Sequence, residues 1–267
     1  MSKKFKIPKF ANKAEEIAFI VDNKGTLSSL KRQSVKRAEG ISFSPNVTKL
    51  KSVNKTAGST KSKGLNVKAV INTTNVLDSH GDVHMPGIWN KSLKENKRIM
   101  MLQEHESKFD KIIASGEDLD VRVEKMSWKA LGFDMTGKTQ ALIFDANVLK
   151  SRNPFMYKQY NNERVDNHSV GMSYVKMELA VNDKEYEAEY KVWKDNIDKV
   201  VNVKDAKAKG YMWIIKEAKI IEGSAVVNGS NSMTPTISVS SKAVKKAIKK
   251  AKNKIEAKEL LKAIKNM

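Results

Sequence analysis

Apolar and polar residues alternate with a period near two in several separate stretches of this 267-residue chain. In LNVKAVINTTNVLD, residues 65 to 78, Val67, Ala69 and Ile71 fall at every second position, which predicts a strand with one face buried. Further strand candidates are LDVRVEKMSW, QALIFDA, HSVGMSYVKMELAV, GYMWIIKEAKIIEGSAVV and PTISVS. Helical candidates are fewer. WNKSLKENKRI follows Pro86-Gly87, ANVLKSRNPFMYKQYNNE is interrupted by Pro154, and EYEAEYKVWKDNIDKVVN is rich in helix formers and charge. Many strands with irregularly interspersed helices predict an α+β fold and no regular βαβ alternation.

The ends follow a different pattern. The first 66 residues contain one short apolar run, Ile17 to Val21, before an Asn-Lys-Gly turn at 23 to 25. LKSVNKTAGSTKSKG, after it, has too few apolar groups to offset the entropy of ordering and reads as a linker. At the other end, Val244, Ile248, Ala251 and Ile255 recur at helical spacing, Leu260, Leu261 and Ile264 continue the stripe, and lysines cover the rest. We therefore expect a basic, partly disordered segment over 1–64, a folded domain over 65–240 and a Lys-rich amphipathic helical tail over 241–267.

Composition narrows the classes. Lys and Arg number 50 against 30 Asp and Glu, for a formal net charge of +20, so polyanions are natural neighbours. The excess sits mainly at the two ends, and the middle carries no zinc-finger spacing, RNP-like aromatic pattern or helix-turn-helix. No apolar run is long enough to cross a bilayer, and MSKKFKIPKF lacks the apolar segment and cleavage pattern of an export signal, so neither membrane insertion nor secretion is expected. With no cysteine there is no thiolate for a metal or for nucleophilic attack. Phosphate-loop, dinucleotide-fingerprint and Gly-x-Ser-x-Gly patterns are absent as well, which removes three large enzyme classes.

Four stretches carry candidate chemistry. LDSHGDVH, residues 77 to 84, sets Asp78, His80, Asp82 and His84 at every second position, so a continuous strand would put four metal-ligand types on one face. Its Gly81-Asp82 pair favours a turn instead, and we expect a structural turn with no catalytic metal. His105 ends the apolar run of IMMLQEHES, where a strand would deliver an imidazole to the edge of the core. In NHSVGMSY, Ser169 opens a strand beside Gly171, whose missing side chain would let a substrate carbonyl approach the backbone. Neighbouring His168 points to the opposite face of that strand and is not the obvious base. Finally, Glu222 interrupts the apolar run Ile220 to Val227 and needs a partner; it could orient a histidine, with Glu217 as the reserve.

Taken in order, TTNVLDSHGDVHMPGIWNKSL, MLQEHES, HSVGMSY and IIEGSAVVNGSN resemble the successive motifs of the prohead (capsid maturation) proteases of tailed bacteriophages, serine proteases related to the herpesvirus assembly proteases. The resemblance covers roughly residues 65 to 240, with about sixty residues between His105 and Ser169. It implies a herpesvirus-protease-like β-barrel core flanked by helices, with Ser169 as nucleophile and His105 as its general base. The herpesvirus relatives use a second histidine after the serine. No histidine follows His168 here, so an acidic residue must substitute, and Glu222 is the choice. The implied activity is serine endopeptidase cleavage of scaffold, of the removable segment of the major capsid protein and of the protease itself, inside the assembling prohead in the host cytoplasm. No cofactor is implied; self-association is expected, and nucleic-acid contact through the basic ends is not needed for function. Two departures stand out: ESKFDKIIASG lacks the family's Pro-x-Gly-like turn, and a charged insertion over 182–209 lengthens the path from Ser169 to Glu222. The competing readings are a non-catalytic basic scaffold or nucleic-acid-binding assembly protein, and a metal-dependent hydrolase built on residues 77–84.

Overall fold

The computed structural model describes residues 5–34, 64–96 and 98–241. The linker reading up to residue 63 and the helical tail from residue 242 lie outside the described residues.

The long alternating stretches are strands: β1 (Leu65–Thr73), β5 (Leu119–Ser127), β6 (Lys138–Val148), β7 (His168–Val181), β8 (Tyr211–Ala225) and β9 (Thr236–Ser241). Three shorter strands join them, β2 (Asp82–His84), β3 (Met100–Gln103) and β4 (Ile112–Ser115). The helices are α1 (Lys13–Asp22), α2 (Lys24–Gln33), α3 (Asn90–Glu95), α4 (Pro154–Asn161), α5 (Glu187–Asn196) and α6 (Val203–Lys209). The fold is α+β. One expected helix begins later than its sequence suggests: Ala146 to Val148 end β6, and α4 starts where Pro154 takes the first helical position and the Asn153 side chain accepts the Met156 N–H at 2.9 Å. Asparagine before proline is a strong helix start, since proline gives up only an N–H that has no intrahelical partner there.

The strands form two sheets. One runs β5-β6-β1-β9, with all neighbours antiparallel. In the other, β7 lies antiparallel along nearly the whole of β8. The opposite edge of β8 takes β2 at residues 213–215 and β3 at 222–225, both parallel, and β4 pairs with β3. The expected barrel is not closed: among the described residues no ladder joins the two sheets, which instead meet face to face. Their contact is close at Gly223, where a side-chain carbon would fall 2.5 Å from the Phe144 ring and 2.9 Å from Ile71. The face that Gly223 turns toward β1 and β6 is thus core, and the face carrying Glu222 and Ser224 points the other way.

The largest core cluster includes Val67, Ala69 and Ile71 of β1, Leu142 and Phe144 of β6, and Met172, Trp213 and Ile220 of the second sheet. Burying each large aliphatic contributes roughly 1.5–3 kcal/mol. The outer face of the first sheet is covered as well, Val70 and Ile143 packing with Trp128, Leu131 and Phe133. The charged insertion over 182–209 carries α5 and α6, and its Trp193, Ile197 and Ala206 cover Ala180, Met212 and Ile214 at the far end of β7 and β8.

Part of the basic N-terminal segment over 1–64 is folded. Ile17 and Ile20 of α1 are buried in the main core, and the Tyr211 hydroxyl donates to Glu16 at 2.9 Å. Helix α2 buries no residue fully. Its Leu27 packs partly buried against the main core, and two ion pairs add to the attachment, Lys24 with Glu189 at 2.5 Å and Lys31 with the buried Asp82.

Candidate active site

Register places the candidate residues before any side-chain geometry is considered. Residues directly opposite in an antiparallel pair share a face, and so do residues i and i+2 on one strand. Ser169 is opposite Ser224, and Gly171 is opposite Glu222, so all four lie on the face of the sheet that turns away from the core. His105 reaches that face from the other edge of β8. Strand β3 pairs through Gln103 with Ala225, the Glu104 N–H continues the ladder to the Ala225 carbonyl at 2.9 Å, and the chain then turns back, with the Glu106 N–H on the Gln103 carbonyl at 3.0 Å.

That turn is unusual. Glu104 and His105 have φ of 51° and 58°, a left-handed conformation costing a side-chain-bearing residue roughly 1–2 kcal/mol. The end of β8 holds it in place: the His105 N–H donates to Ser224 Oγ at 3.1 Å, and Glu104 Oε1 accepts the Val227 N–H at 2.9 Å. The imidazole is thereby laid against Glu222, His105 Nδ1 lying 2.6 Å from Glu222 Oε1. Ser224 Oγ donates to the other oxygen, Glu222 Oε2, also at 2.6 Å. His105 Nε2 is buried and has no hydrogen-bond partner among the described residues. A carboxylate on Nδ1 retains the proton there and leaves Nε2 as a free base.

His105, Ser169 and Glu222 are 6%, 5% and 3% exposed, so the group is withdrawn from bulk water. No hydrogen bond joins Ser169 Oγ to His105 Nε2 in this arrangement; such contacts are commonly long until substrate binds. Glu217, the reserve for the third position, is engaged elsewhere. It sits opposite Lys176, with ion pairs of 2.8 Å to Lys176 and 3.6 Å to Lys91, and the Lys176 hydrogen bond holds its carboxyl below the usual range.

Gly171 is needed for a reason other than the one its sequence suggested. A side-chain carbon there would lie 2.0 Å from Glu222 Oε1, so the missing side chain makes room for the carboxylate and not for a substrate carbonyl. The backbone offers a different donor. The Val226 N–H bonds the Asn167 carbonyl at 3.1 Å, and the register is regular as far as Gly171. In an antiparallel ladder the bonded pairs alternate, so Ser169 and Gly171 exchange hydrogen bonds with β8 while the N–H groups of His168 and Val170 turn outward. His168 uses its own on Thr234 Oγ1 at 3.2 Å, and by the same alternation the Val170 N–H points to that side of β7.

His168 faces away from Ser169, as expected from strand alternation. Its ring stacks on Tyr160, its Nδ1 lies 3.0 Å from the Thr234 carbonyl, and burial drives its pKa down to about 4, so it is a neutral core group at pH 7.

The stretch LDSHGDVH is a turn followed by a short strand. Asp78 Oδ1 accepts the N–H groups of His80 and Asp82, both at 2.9 Å, and Gly81 takes a φ of 75°. Three of the four candidate ligands still converge, with one ligand atom each of Asp78, His80 and Asp82 all lying within 4.8 Å of one another. The acidic pair is already served by a cation, Lys31 on Asp82, and the Tyr174 hydroxyl donates to Asp82 at 2.7 Å. His84 is drawn off, Nδ1 to Asn72 at 3.0 Å and Nε2 to Tyr174 at 3.1 Å.

This cluster has a pH signature. Burial, reinforced by the Asp82 charge and partly offset by Lys31, pushes Asp78 up to about 7 from an ordinary 3.8. A carboxyl with a raised folded-state pKa contributes stability that is complete below about 4 and is lost as pH rises through about 7. His168, with a depressed folded-state pKa, works in the opposite sense, adding stability as pH rises from about 4 to its ordinary 6.5. Between about pH 4 and 6.5 the two therefore act in opposite directions. Asp78→Asn keeps an acceptor for both N–H groups and removes the falling component, so its stability relative to wild type is expected to grow from about pH 4 to about pH 7. Denaturant midpoints measured across that range check this, and parallel curves would refute it.

Sequence reasoning singled out neither Ser224, which joins Glu222 to the His105 backbone, nor Lys31 beside the separate turn at residues 78–82. For Ser224 the signal was present, because a residue two positions after Glu222 must share its face. Lys31 lies far off in sequence, and no local pattern ties it to Asp82. A scan against protein-family models, a search of curated proteins and a search of solved structures each return no match for this chain.

Proposed function

We propose that the protein is a serine endopeptidase of the prohead-maturation type, with Ser169 as nucleophile, His105 as general base and Glu222 as the residue that orients the base. One observation carries the reading: Glu222 holds His105 Nδ1 at 2.6 Å while Nε2 is left without a partner, on the same sheet face as Ser169. His105 Nε2 takes the Ser169 proton as Oγ attacks the scissile carbonyl carbon. The imidazolium then gives that proton to the leaving amine as the C–N bond breaks, and water hydrolyses the acyl-enzyme by the reverse proton path. Glu222 balances the imidazolium, and the outward Val170 N–H is placed to meet the developing oxyanion. No step calls for a metal.

The substrates belong to the same proposal: scaffold, the removable segment of the major capsid protein and the protease's own ends, cleaved within the assembling prohead. The ordered resemblance of four motifs supports this class. So does a core of two packed sheets flanked by helices, which is compatible with an opened relative of the herpesvirus-protease barrel. A fluorophosphonate, which phosphorylates activated serines, tests the reading directly. One adduct per chain on the peptide containing Ser169, unaffected by chelator, is the expected result. A protein that stays unmodified while it still cleaves capsid proteins would overturn it.

A further inference from the structure

Ser224 does more than fill the strand between Glu222 and Ala225, and we infer that it is the positioning residue of the Glu222–His105 pair, an inference that rests on the protease reading above. Its side chain is fully buried, and its single hydroxyl joins two parts of the site that reach it from different elements. As donor it binds Glu222 Oε2 at 2.6 Å, and as acceptor it takes the His105 N–H at 3.1 Å. The carboxylate and the backbone that carries the imidazole are therefore tied to one atom.

The arrangement has a defined polarity. A main-chain N–H can only donate, so the His105 N–H commits Ser224 Oγ to accept from that side, and its own proton goes to Glu222. Oε2 is then engaged, which leaves Oε1 for His105 Nδ1. Gly171 completes the seat from β7 by leaving the space that Oε1 occupies. Without the Ser224 hydroxyl, the Glu222 carboxylate could rotate about its last torsion, a broad and soft coordinate. The left-handed turn at Glu104 and His105 would also lose one of its restraints. Ser224 touches neither the scissile bond nor the transferred proton; it fixes the direction in which Nε2 points.

Because Ser224 acts on orientation, its removal affects turnover and not substrate affinity. Ser224→Ala is expected to lower kcat by about 10- to 100-fold, the scale for misplacing a catalytic group, with KM unchanged. Ser224→Thr keeps the hydroxyl and is expected to recover most of the rate. A second readout is independent of turnover: the proton in the short His105 Nδ1–Glu222 hydrogen bond should give a far-downfield resonance in wild type that is lost or shifted upfield in Ser224→Ala. An unchanged kcat and an unchanged resonance in the alanine variant would overturn the inference. So would a loss of kcat that threonine does not restore and that tracks a lowered melting temperature. If wild type itself fails to react with the fluorophosphonate, the protease reading falls, whereas a resonance that depends on Ser224 still supports its hold on Glu222 and His105.

Discussion

Under the proposed endopeptidase activity, Ser169→Ala is expected to leave scaffold and major capsid protein uncleaved on co-expression, and the chain itself at full length. The expected loss in kcat is on the order of 10⁶, because the general base and its carboxylate have nothing to activate once the hydroxyl is gone. The fold should survive the change. Alanine keeps the Cβ and the backbone ladder between Ser169 and Ser224, and the core-facing neighbours His168 and Val170 are untouched. A melting temperature within a few degrees of wild type, together with complete loss of processing, is the combination expected. Processing that persists in the variant would move the nucleophile elsewhere, and a chelator-sensitive residual activity would point back to the Asp78, His80 and Asp82 cluster. Steeply salt-dependent nucleic-acid binding retained in an inactive variant would instead favour the basic-scaffold reading that the +20 charge invites.

The strands that position the site were legible in the sequence where they are long. Strands β7 and β8 span 14 and 15 residues, enough for alternation to show through bulges. Strands β2, β3 and β4 have three or four residues each, too few to establish a period, and their places are set by pairing with β8 or with each other. Helix α2 escaped notice because it buries no residue fully: Leu27 packs only partly against the core, and the charge partners of Lys24 and Lys31 lie far away in sequence.

The site divides in the same way. Ser169, His105 and Glu222 could be named from residue type and order, but the choice between Glu222 and Glu217 could not be made from charge, since both are glutamates on one strand. Register separates the two: Glu222 lies opposite Gly171 and bonds His105, whereas Glu217 lies opposite Lys176. The purpose of Gly171 was misread for a related reason. A glycine beside a serine suggests room for substrate, whereas the neighbour that fills that room comes from the adjacent strand, and its register is not written locally.

Glu222→Gln separates the orienting role of the carboxylate from its packing, since the two side chains have nearly the same shape. The amide has two ways to sit, and both are poor. With its oxygen toward Ser224, its NH₂ must donate to His105 Nδ1, which moves the imidazole proton to Nε2 and removes the base that Ser169 needs. With its oxygen toward His105, the NH₂ faces Ser224 Oγ, which then receives two donors, the amide and the His105 N–H, and has no acceptor in Glu222's place for its own proton. In either case the negative charge that balances the imidazolium is gone. A loss in kcat of about 10⁴ is expected, the scale for forcing the wrong tautomer on a catalytic histidine. In the proposed mechanism Glu222 acts only through His105, so KM should hold. Glu222→Asp keeps the charge but shortens the reach to Nδ1, and it should fall between wild type and the glutamine variant. Steady-state kinetics on a peptide spanning a mapped cleavage site distinguish these outcomes. A glutamine variant within about tenfold of wild type would mean that Glu222 serves the fold of β8 and not the base, because at that scale neither the tautomer nor the charge has been lost.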